Sequence, residues 1–208
     1  MAFVATVLAE VGGAAPELRA GLLVVGLAVA GGSWALAVSR EVPAWERSVF
    51  MAANGLPRPV GMVLWAPMQL GSVGGALVAS AVLGALDRSL TTALVLGATG
   101  LSAWSGAKLV KGRVRRGRPA DFFEDAVLRE HASDFGYVSG HTMVAVAVAI
   151  ACGPAVPAWG ELLLLVACLM VGAGRLYVGA HLPLDVVGGA GLGVAVGALG
   201  AVALDTLA

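Results

Sequence analysis

Three short stretches of the chain combine cationic, histidine and small residues in a pattern that suits phosphate chemistry. They are Lys111 with Arg118 and Pro119, then Ser139, Gly140 and His141, and then Arg175 with His181 and Asp185. Lysine and arginine supply point-charge and bidentate contacts to phosphate oxygens. A small Ser-Gly turn at the start of a helix adds backbone N–H donors and the positive end of the helix dipole. Together these groups predict a binding site for a tetrahedral phosphate.

The third stretch places a carboxylate within reach of a histidine. His181 and Asp185 are four residues apart, and Pro183 between them favours the first turn of a helix. From that turn the Asp185 carboxylate can hold one ring nitrogen of His181, which leaves the other nitrogen free as a nucleophile. His141 would then be the acid that protonates the leaving oxygen, a role that suits a group with an unperturbed pKa of about 6.5.

These stretches lie where long apolar blocks begin or end. A membrane-spanning helix needs roughly 20 apolar residues with few charges. Six blocks meet that description: residues 20–38, 60–86, 90–109, 139–156, 158–176 and 183–204. The second block is longer than a bilayer requires and contains Pro67, so we expect it to tilt or kink. The chain is therefore predicted to be an all-α polytopic membrane protein of six transmembrane helices, with a single domain over residues 1–208.

The composition supports a membrane protein and excludes other classes. Of the 208 residues, 59% are hydrophobic and 12% are charged, whereas soluble domains average about 45–50% apolar and 25% charged residues. The 13 basic and 13 acidic residues balance, so the chain lacks the net basic charge of a nucleic-acid-binding protein. A mean hydropathy of +0.89 excludes a disordered chain. The 30 glycines fit helix packing in lipid, and Gly189, Gly193 and Gly197 form a tandem GxxxG pattern.

The charges concentrate in one connection between the predicted spans. Residues 108–134 carry seven basic and five acidic side chains, which is twelve of the 26 charges in the chain. With six spans, this third connection lies on the same membrane face as the first (39–59) and the fifth (177–182). The three phosphate-binding stretches therefore meet on one polar face, and both termini lie on the other. Residues 3–10 are expected to form an interfacial helix before the first span.

Two loop segments on the polar face are predicted to form interfacial helices. Pro119 is followed by a partly apolar stripe, which predicts a helix start within the long connection. Pro43 similarly fits a first helical turn, with Trp45, Val49 and Phe50 on the side that faces the membrane. These helices would form the rim of a site that is open to both lipid and water.

The three stretches together resemble a known signature. Six residues separate Lys111 from Arg118-Pro119, the triplet Ser139-Gly140-His141 follows, and Arg175, five residues, His181, three residues and Asp185 complete the pattern. This arrangement is similar to the three-part motif of the type 2 phosphatidic acid phosphatase superfamily. The membrane branch of that superfamily, the lipid phosphate phosphatases, has six transmembrane helices, and the resemblance covers nearly the whole chain.

The resemblance implies a role for each of these residues. The phosphate would be held by Lys111, Arg118, Ser139 and Arg175 together with the Gly140 amide. His181 would form a phosphohistidine intermediate, and His141 would donate a proton to the leaving group and later help to activate water. Asp185 would orient His181. The family works without a metal ion, so neither a metal nor another cofactor is expected.

Two positions depart from the pattern of the family. Val138 stands where the family usually has proline, and Gly174 stands where it usually has serine. The first change should only loosen the turn before Ser139. The second removes a hydroxyl that could help to bind phosphate, which would cost some affinity and leaves every proposed catalytic group in place.

Simpler roles account for part of the basic cluster. Cations near the end of a span often anchor a protein to lipid headgroups. This interpretation applies to Lys108, Arg113, Arg115 and Arg116. His131 lies outside any motif and is expected to be solvated. Arg175 and Asp185 differ, because an ionisable residue inside the membrane costs roughly 2.5–3.5 kcal/mol and is usually paired or functional.

Charge counts and the resemblance give opposite orientations. The polar face carries 11 basic residues and the other face carries two, Arg19 and Arg88, so the positive-inside rule would place the site in the cytoplasm. Several of these cations are proposed phosphate ligands, and five acidic residues accompany them, which weakens the count as a signal of topology. Most relatives that handle envelope lipids face outward, so an external site in the cell membrane is expected.

The residues and the resemblance together predict an integral membrane enzyme that hydrolyses the phosphate monoester or diphosphate of a membrane lipid. A polyprenyl (undecaprenyl-type) phosphate or diphosphate is favoured, because the compact form resembles bacterial members, and phosphatidic acid or phosphatidylglycerophosphate is the close alternative. A lipid phosphotransferase on the same scaffold stays open. A transporter is least favoured, because the spans have no ionisable group near their middle and no internal repeat. The expected partners are the lipid substrate and membrane lipids, not nucleic acid, and the oligomeric state is left open.

Overall fold

The computed structural model describes residues 16–39, 41–131, 134–153 and 156–207. In these ranges the chain is all-helical, as predicted. The helices are α1 (Pro16–Ala37), α2 (Ala44–Asn54), α3 (Arg58–Gln69), α4 (Val73–Leu86), α5 (Leu90–Val114), α6 (Pro119–Phe122), α7 (Gly140–Cys152), α8 (Ala158–Tyr177) and α9 (Pro183–Leu207). The predicted helix at residues 3–10 lies outside the described residues.

Helix α9 lies at the centre of the bundle because glycine lets its neighbours approach closely. A Cβ added at Gly193 would lie 2.7 Å from the Met143 carbonyl oxygen, and one at Gly197 would lie 2.6 Å from that of Ala147. The glycines thus allow backbone-to-backbone contact along α7, as the tandem GxxxG pattern predicts. On the opposite side, a Cβ at Gly26 of α1 would lie 2.6 Å from the Gly191 carbonyl oxygen. The close approach of α1 and α7 to α9 therefore depends on small residues at the contacts.

The described residues contain fewer full-length spans than the six that were predicted. Four helical segments are long and apolar enough to cross a membrane: α1, α5 with its continuation to Phe122, α8 and α9. Helices α3 and α4 form a fifth candidate as a pair that is bent by 60°. The bend confirms the predicted kink, but it lies at residues 70–72, after Pro67 rather than at it. Helix α7 has 13 residues and is apolar but short.

Large apolar side chains cover much of the outer surface of the long helices. Leu94 on α5, Leu169 on α8 and Trp65 on α3 are between 62% and 65% exposed. A water-soluble protein rarely exposes apolar surface on this scale. Together with the candidate spans, this surface identifies a multi-pass membrane protein.

The two predicted loop helices are present, with different extents and faces. Helix α2 begins one residue after Pro43, and its Trp45 and Val49 are about half exposed. Phe50 is fully buried, however, so its predicted position on the membrane-facing side is wrong. It stacks on Phe123, with ring centroids 5.8 Å apart, because α2 packs against the long connection. Helix α6 starts at Pro119 as predicted but has only four residues.

Candidate active site

A cavity of about 240 Å³ opens at the end of the bundle where α5, α7 and α8 meet the long connection. Six of the eight residues proposed from the sequence line its wall: Lys111, Arg118, Gly140, His141, Arg175 and His181. Residues that are 70 positions apart in the chain thus share one small volume. The other two, Ser139 and Asp185, lie directly behind the wall and are fully buried.

His181 is the most enclosed of the candidate catalytic groups. It lies in the short connection between α8 and α9 and is only 2% exposed. Its Nδ1 lies 3.7 Å from Oδ2 of Asp185, which is an electrostatic contact but too long for a hydrogen bond. Burial lowers the pKa of His181 to about 4, although the neighbouring Asp185 carboxylate opposes the shift. The imidazole is therefore neutral at pH 7, which is the state that a nucleophile requires.

Backbone and side-chain donors hold the Asp185 carboxylate in place. Oδ2 accepts a hydrogen bond from the Leu182 N–H at 2.8 Å, and Oδ1 accepts one from Nη1 of Arg116 at 2.8 Å. Arg116 also makes two hydrogen bonds to Glu46, at 2.7 and 3.1 Å. Arg116 is 6% exposed, so its predicted role as a cation that anchors to lipid headgroups is wrong. Its guanidinium points into the protein because two buried carboxylates pair with it there.

Three of the four cations on the cavity wall are paired with carboxylates of the long connection. Arg175 binds Glu130 through two hydrogen bonds of 2.7 and 2.8 Å. Lys111 Nζ donates to Asp134 Oδ2 at 2.9 Å, and Arg118 donates to the other oxygen of the same carboxylate. Glu130 and Asp134 themselves line the cavity. The carboxylate oxygens thus lie where the cations converge, which is the place that phosphate oxygens would take.

Opposing effects act on these two carboxylates, and the cations prevail. Partial burial raises the pKa of Glu130, but its hydrogen bonds to Arg175 and the charge of that residue bring it below the usual value. Partial burial likewise raises the pKa of Asp134, and Lys111 and Arg118 together lower it further than burial raises it. Both carboxylates are therefore ionised at neutral pH. The cations of the wall thus stabilise the charged form of both carboxylates.

Two further contacts fix the segment that carries Glu130. The Asn54 side chain at the end of α2 accepts from the Val127 N–H at 2.8 Å and donates to its carbonyl oxygen at 2.9 Å. Arg129 donates to the carbonyl oxygens of Asn54 and Tyr177 at 2.9 and 2.6 Å, and its guanidinium lies 4.1 Å from the centre of the Tyr177 ring. Helices α2 and α8 thus position Glu130 beside Arg175.

Ser139 acts locally as the N-cap of α7. Its Oγ accepts from the Thr142 N–H and lies 3.0 Å from the Thr142 hydroxyl, so the side chain is engaged within the first turn. The Ser139 N–H donates to the Asp185 carbonyl oxygen at 2.8 Å, which ties α7 to α9. The first N–H groups of a helix have no intrahelical acceptor. Those of Gly140 and His141, which both line the cavity, are the donors available to an anion there.

Helix α5 and the bend that separates α3 from α4 form another part of the cavity wall. Gly71, Ser72 and Val73 form one side, and Trp104 and Lys108 form the other. Lys108 Nζ lies 3.7 Å from the centre of the Trp104 ring, a distance that is typical of a cation–π contact. Lys108 was interpreted from the sequence as a flanking cation, yet it belongs to the cavity wall.

A helical spacing rule could have identified Lys108. It lies three residues before Lys111 on α5, so the two side chains share one face of the helix. The pattern offers no such signal for Arg116 and Glu46, which lie in different segments of the chain. Their involvement depends on how α2 and the residues after α5 pack against the start of α9.

The two departures from the expected signature have different surroundings. Val138 is fully buried and belongs to the main hydrophobic core, together with Met143 and Leu184. A Cβ added at Gly174 would lie 3.1 Å from Sδ of Met68, whose sulfur is also 3.8 Å from Nη1 of Arg175. The place of a side chain at position 174 is thus largely taken by Met68.

The fold and the site together define a membrane protein with a cavity lined by cations and histidines at one end of a helical bundle. The family model of the PAP2 superfamily matches residues 89–207, which is more than half of the chain. The chain therefore belongs to the PAP2 superfamily, as the resemblance in the sequence indicated. The matched segment contains all eight proposed site residues. Glu46 lies outside it.

Two solved structures support this assignment at the level of the fold. A transmembrane PAP2-type phosphatidylglycerolphosphate phosphatase from Bacillus subtilis is 22% identical, with a TM-score of 0.71, over 91% of this chain and 97% of that one. LpxE from Aquifex aeolicus is 23% identical, with a TM-score of 0.65, over 77% of this chain and 97% of that one. Among curated proteins, no sequence matches this chain significantly.

Proposed function

We propose that the protein is an integral membrane phosphatase that hydrolyses lipid phosphates through a phosphohistidine at His181. One observation carries the proposal: three cations and two histidines converge on a single cavity at the end of an apolar helical bundle. These residues are Lys111, Arg118, Arg175, His141 and His181. Membership of a superfamily whose members are phosphatases of lipid phosphates supports the same conclusion.

The first step of the proposed reaction is attack by the neutral His181 on the phosphorus atom. The ring nitrogen that faces away from Asp185 forms a P–N bond, and the bond between phosphorus and the lipid oxygen breaks. His141, protonated when the phosphate charge lies beside it, donates its proton to that oxygen and becomes neutral, so the lipid leaves as an alcohol, or as a monophosphate when the substrate is a diphosphate. The imidazole becomes positively charged in this step, and the Asp185 carboxylate stabilises that charge.

The second step returns the enzyme to its starting state. His141 removes a proton from a water molecule, whose oxygen attacks the phosphorus atom. The P–N bond breaks, the electron pair returns to His181, and inorganic phosphate is released. In both steps Lys111, Arg118 and Arg175 stabilise charge on the phosphoryl oxygens, which is usually the largest contribution to phosphoryl-transfer catalysis.

Among substrates, a polyprenyl phosphate or diphosphate is our first candidate. The cavity wall includes residues of the apolar helices α4 and α5, and Trp104 and Leu101 of α5 are exposed on the surface of the bundle. A long tail can therefore stay in the bilayer while its phosphate enters the cavity. Phosphatidylglycerophosphate is the second candidate, because one of the structural relatives is a phosphatase for that lipid.

The test is phosphate release by purified protein in detergent with EDTA present. The substrates are a polyprenyl diphosphate, a polyprenyl monophosphate, phosphatidic acid and phosphatidylglycerophosphate. His181→Ala should lower kcat by on the order of 10⁶-fold, as removal of the nucleophile of a hydrolase triad does. Asp125→Asn, a change in an exposed ion pair with Arg47, is the control that should keep full activity.

Each outcome of this assay has a distinct meaning. Release that survives EDTA and disappears in His181→Ala supports the metal-independent phosphohistidine mechanism, and the rank order of substrates identifies the lipid. Release that requires a divalent metal, or that persists in His181→Ala, contradicts the mechanism. Folded protein that releases no phosphate, but passes a phosphoryl group to an added alcohol acceptor, favours a phosphotransferase.

For the topology we propose six crossings, with α7 as the short one, and a site on the external face. Thirteen helical residues measure about 20 Å, so α7 would need flanking residues to cross a core of about 30 Å. The test labels single added cysteines with a membrane-impermeant maleimide. Asp125→Cys near the cavity should react in intact cells and Arg88→Cys, between α4 and α5, only after permeabilisation. The reverse pattern would place the site in the cytoplasm.

A further inference from the structure

A buried ion-pair network lies behind His181, on the side away from the cavity. Glu46 of α2 is fully buried and binds Arg116 through both of its carboxylate oxygens, at 2.7 and 3.1 Å. The same guanidinium donates to Asp185 at 2.8 Å. Glu46 lies 138 residues before Leu184 and 70 before Arg116, so the network joins three distant parts of the chain. We call these three residues the rear network.

The rear network also completes the start of α9. Leu182 precedes the helix and has an apolar side chain, so it cannot cap the first N–H groups as serine or aspartate would. Glu46 supplies the missing acceptor: its Oε1 accepts from the Leu184 N–H at 2.9 Å. Asp185 accepts from the Leu182 N–H at 2.8 Å, as the third residue of a capping box does. Two carboxylates therefore fix the helix turn that follows His181.

The charges of the rear network do not cancel. Two carboxylates and one guanidinium leave one negative charge in a region that is at most 6% exposed. If Arg116 paired with Asp185 alone, the pair would be neutral, and His181 would face no net charge from this side. Because the Glu46 carboxylate balances the positive charge of Arg116, the negative charge of Asp185 is left to interact with the imidazole of His181.

We propose that Glu46 and Arg116 are positioning residues for phosphoryl transfer. They fix the Asp185 carboxylate beside Nδ1 of His181, and because Glu46 balances the charge of Arg116, the negative charge of Asp185 stabilises the cationic phosphoimidazole that forms during the reaction. This inference rests on the proposed phosphohistidine mechanism. It assigns a function to α2 that lies outside the segment matched by the family model.

The principal test is Glu46→Gln, which removes the charge and keeps the shape and one acceptor oxygen. The phosphate ligands are untouched, so KM and inhibition by inorganic phosphate should change by less than about twofold. The kcat value should fall by about 10- to 100-fold, the range typical for loss of a group that orients a catalytic ligand. Asp125→Asn is the matched control, because it makes the same change in the pair with the neighbouring Arg47.

A pH profile distinguishes electrostatic positioning from a structural defect. His181 faces the positive charges of Lys111 and Arg175, the negative charge of Asp185, and His141 and Glu130 across the cavity. Removal of a negative charge behind it lowers its pKa further, so the acid limb of kcat/KM should move to lower pH in Glu46→Gln. A merely structural defect would lower the rate at every pH and leave the limb in place.

A second variant keeps the proposal testable if Glu46→Gln does not fold. Arg116→Lys keeps the positive charge but cannot bind two carboxylates with one planar group, so kcat should again fall more than KM rises. Wild-type kcat in either folded variant would overturn the proposal, as would a loss confined to KM. Failure of both variants to fold would also overturn it, because a structural role would then explain the network.

The outcome for His181→Ala separates this inference from the proposed function. If His181→Ala keeps its activity, the phosphohistidine mechanism itself is wrong. If His181→Ala is inactive and folded Glu46→Gln behaves like the wild type, the mechanism stands and only the role of the rear network is wrong.

Discussion

Two sets of ion pairs surround His181, and they differ in how much water they meet. Behind it, the side chains of Arg116, Glu46 and Asp185 are at most 4% exposed. In front of it, the cations of the cavity wall bind two carboxylates that are partly exposed, 37% for the side chain of Glu130 and 52% for that of Asp134. The first set is closed to solvent, whereas the second can be reached from the cavity.

Burial therefore decides which pairs can exchange their partners. A buried charge that loses its partner keeps a large desolvation penalty, so the rear network has one stable arrangement. A partly exposed carboxylate that leaves its cation is hydrated again, but the cation it leaves is only 3–11% exposed and needs another anion in its place. If the cavity binds phosphate as proposed, phosphate oxygens would replace Glu130 and Asp134 on its wall, whereas the fully buried Glu46 has no such exchange.

The largest effect on stability is expected at the rear network. Arg116→Ala leaves two carboxylates buried without a partner, and breaking a buried pair typically costs about 3–5 kcal/mol. The apparent melting temperature in detergent should fall clearly below that of the wild type. Asp134→Asn, in the partly exposed set, should lower it less, because the amide oxygen can still accept from Lys111 or Arg118, whose side chains are 10% and 11% exposed. Equal melting temperatures for these two variants would show that the two sets do not differ as burial suggests.

The next largest effect is expected for a cation of the cavity wall. Arg175→Gln removes a preorganised donor from the phosphoryl group, which typically costs about 2.7–4 kcal/mol of transition-state stabilisation, or 10²- to 10³-fold in kcat. The measurement is steady-state hydrolysis of the best substrate from the panel. A variant that loses affinity for phosphate but keeps kcat would show that Arg175 binds the ground state and the transition state equally.

A smaller effect in the opposite direction is expected for Glu130. Glu130→Gln removes the charge that competes with phosphate for Arg175. If the lost Glu130–Arg175 attraction is worth about 0.2–1 kcal/mol, inhibition by inorganic phosphate should become about two- to fivefold tighter. Weaker inhibition would instead mean that Glu130 holds Arg175 in place for phosphate.

The pH dependence of that difference follows from the lowered pKa of Glu130. The carboxylate stays ionised above the ordinary value of 4.5, so its competition with phosphate is fully present there. This competition is lost as the pH falls through the lowered pKa of Glu130, because the carboxylate becomes protonated. The difference between wild type and Glu130→Gln should therefore be constant from neutral pH down to about 5, within the range where a depressed carboxyl remains charged. A difference that disappears near pH 6 would contradict the lowered pKa.

The smallest effect is expected for Arg115, the neighbour of Arg116 in the basic cluster. Its Nε donates to the Gly112 carbonyl oxygen at 3.1 Å, and the guanidinium lies 6.0 Å from the centre of the Phe135 ring. It binds neither the cavity carboxylates nor the rear network, so Arg115→Ala should change kcat by less than about twofold, as surface changes usually do. A loss as large as that for Arg116→Lys would show that charge alone, not position, matters in this cluster.

The sequence by itself was sufficient for the features that depend on local pattern. Apolar runs indicated an all-helical membrane protein because a bilayer requires long apolar helices. Spacing within each motif predicted that Lys111, Arg118, His141, Arg175 and His181 serve one site, and they do share one cavity. Hydropathy was less reliable for span length. It extended the fourth span to residue 156, whereas α7 ends at Cys152.

Only the tertiary structure decided which charges are buried and which carboxylates the cations meet. Arg113, Arg115 and Arg116 look alike in the sequence, yet only Arg116 points between α2 and α9. Glu46 is one polar residue in the segment after Pro43, and its partners lie 70 and 138 residues away in the chain. Pairing over such distances depends on helix packing and on the cost of burying an unpaired charge. The residue pattern alone contains neither, so it predicted the residues that line the cavity but not the network behind them.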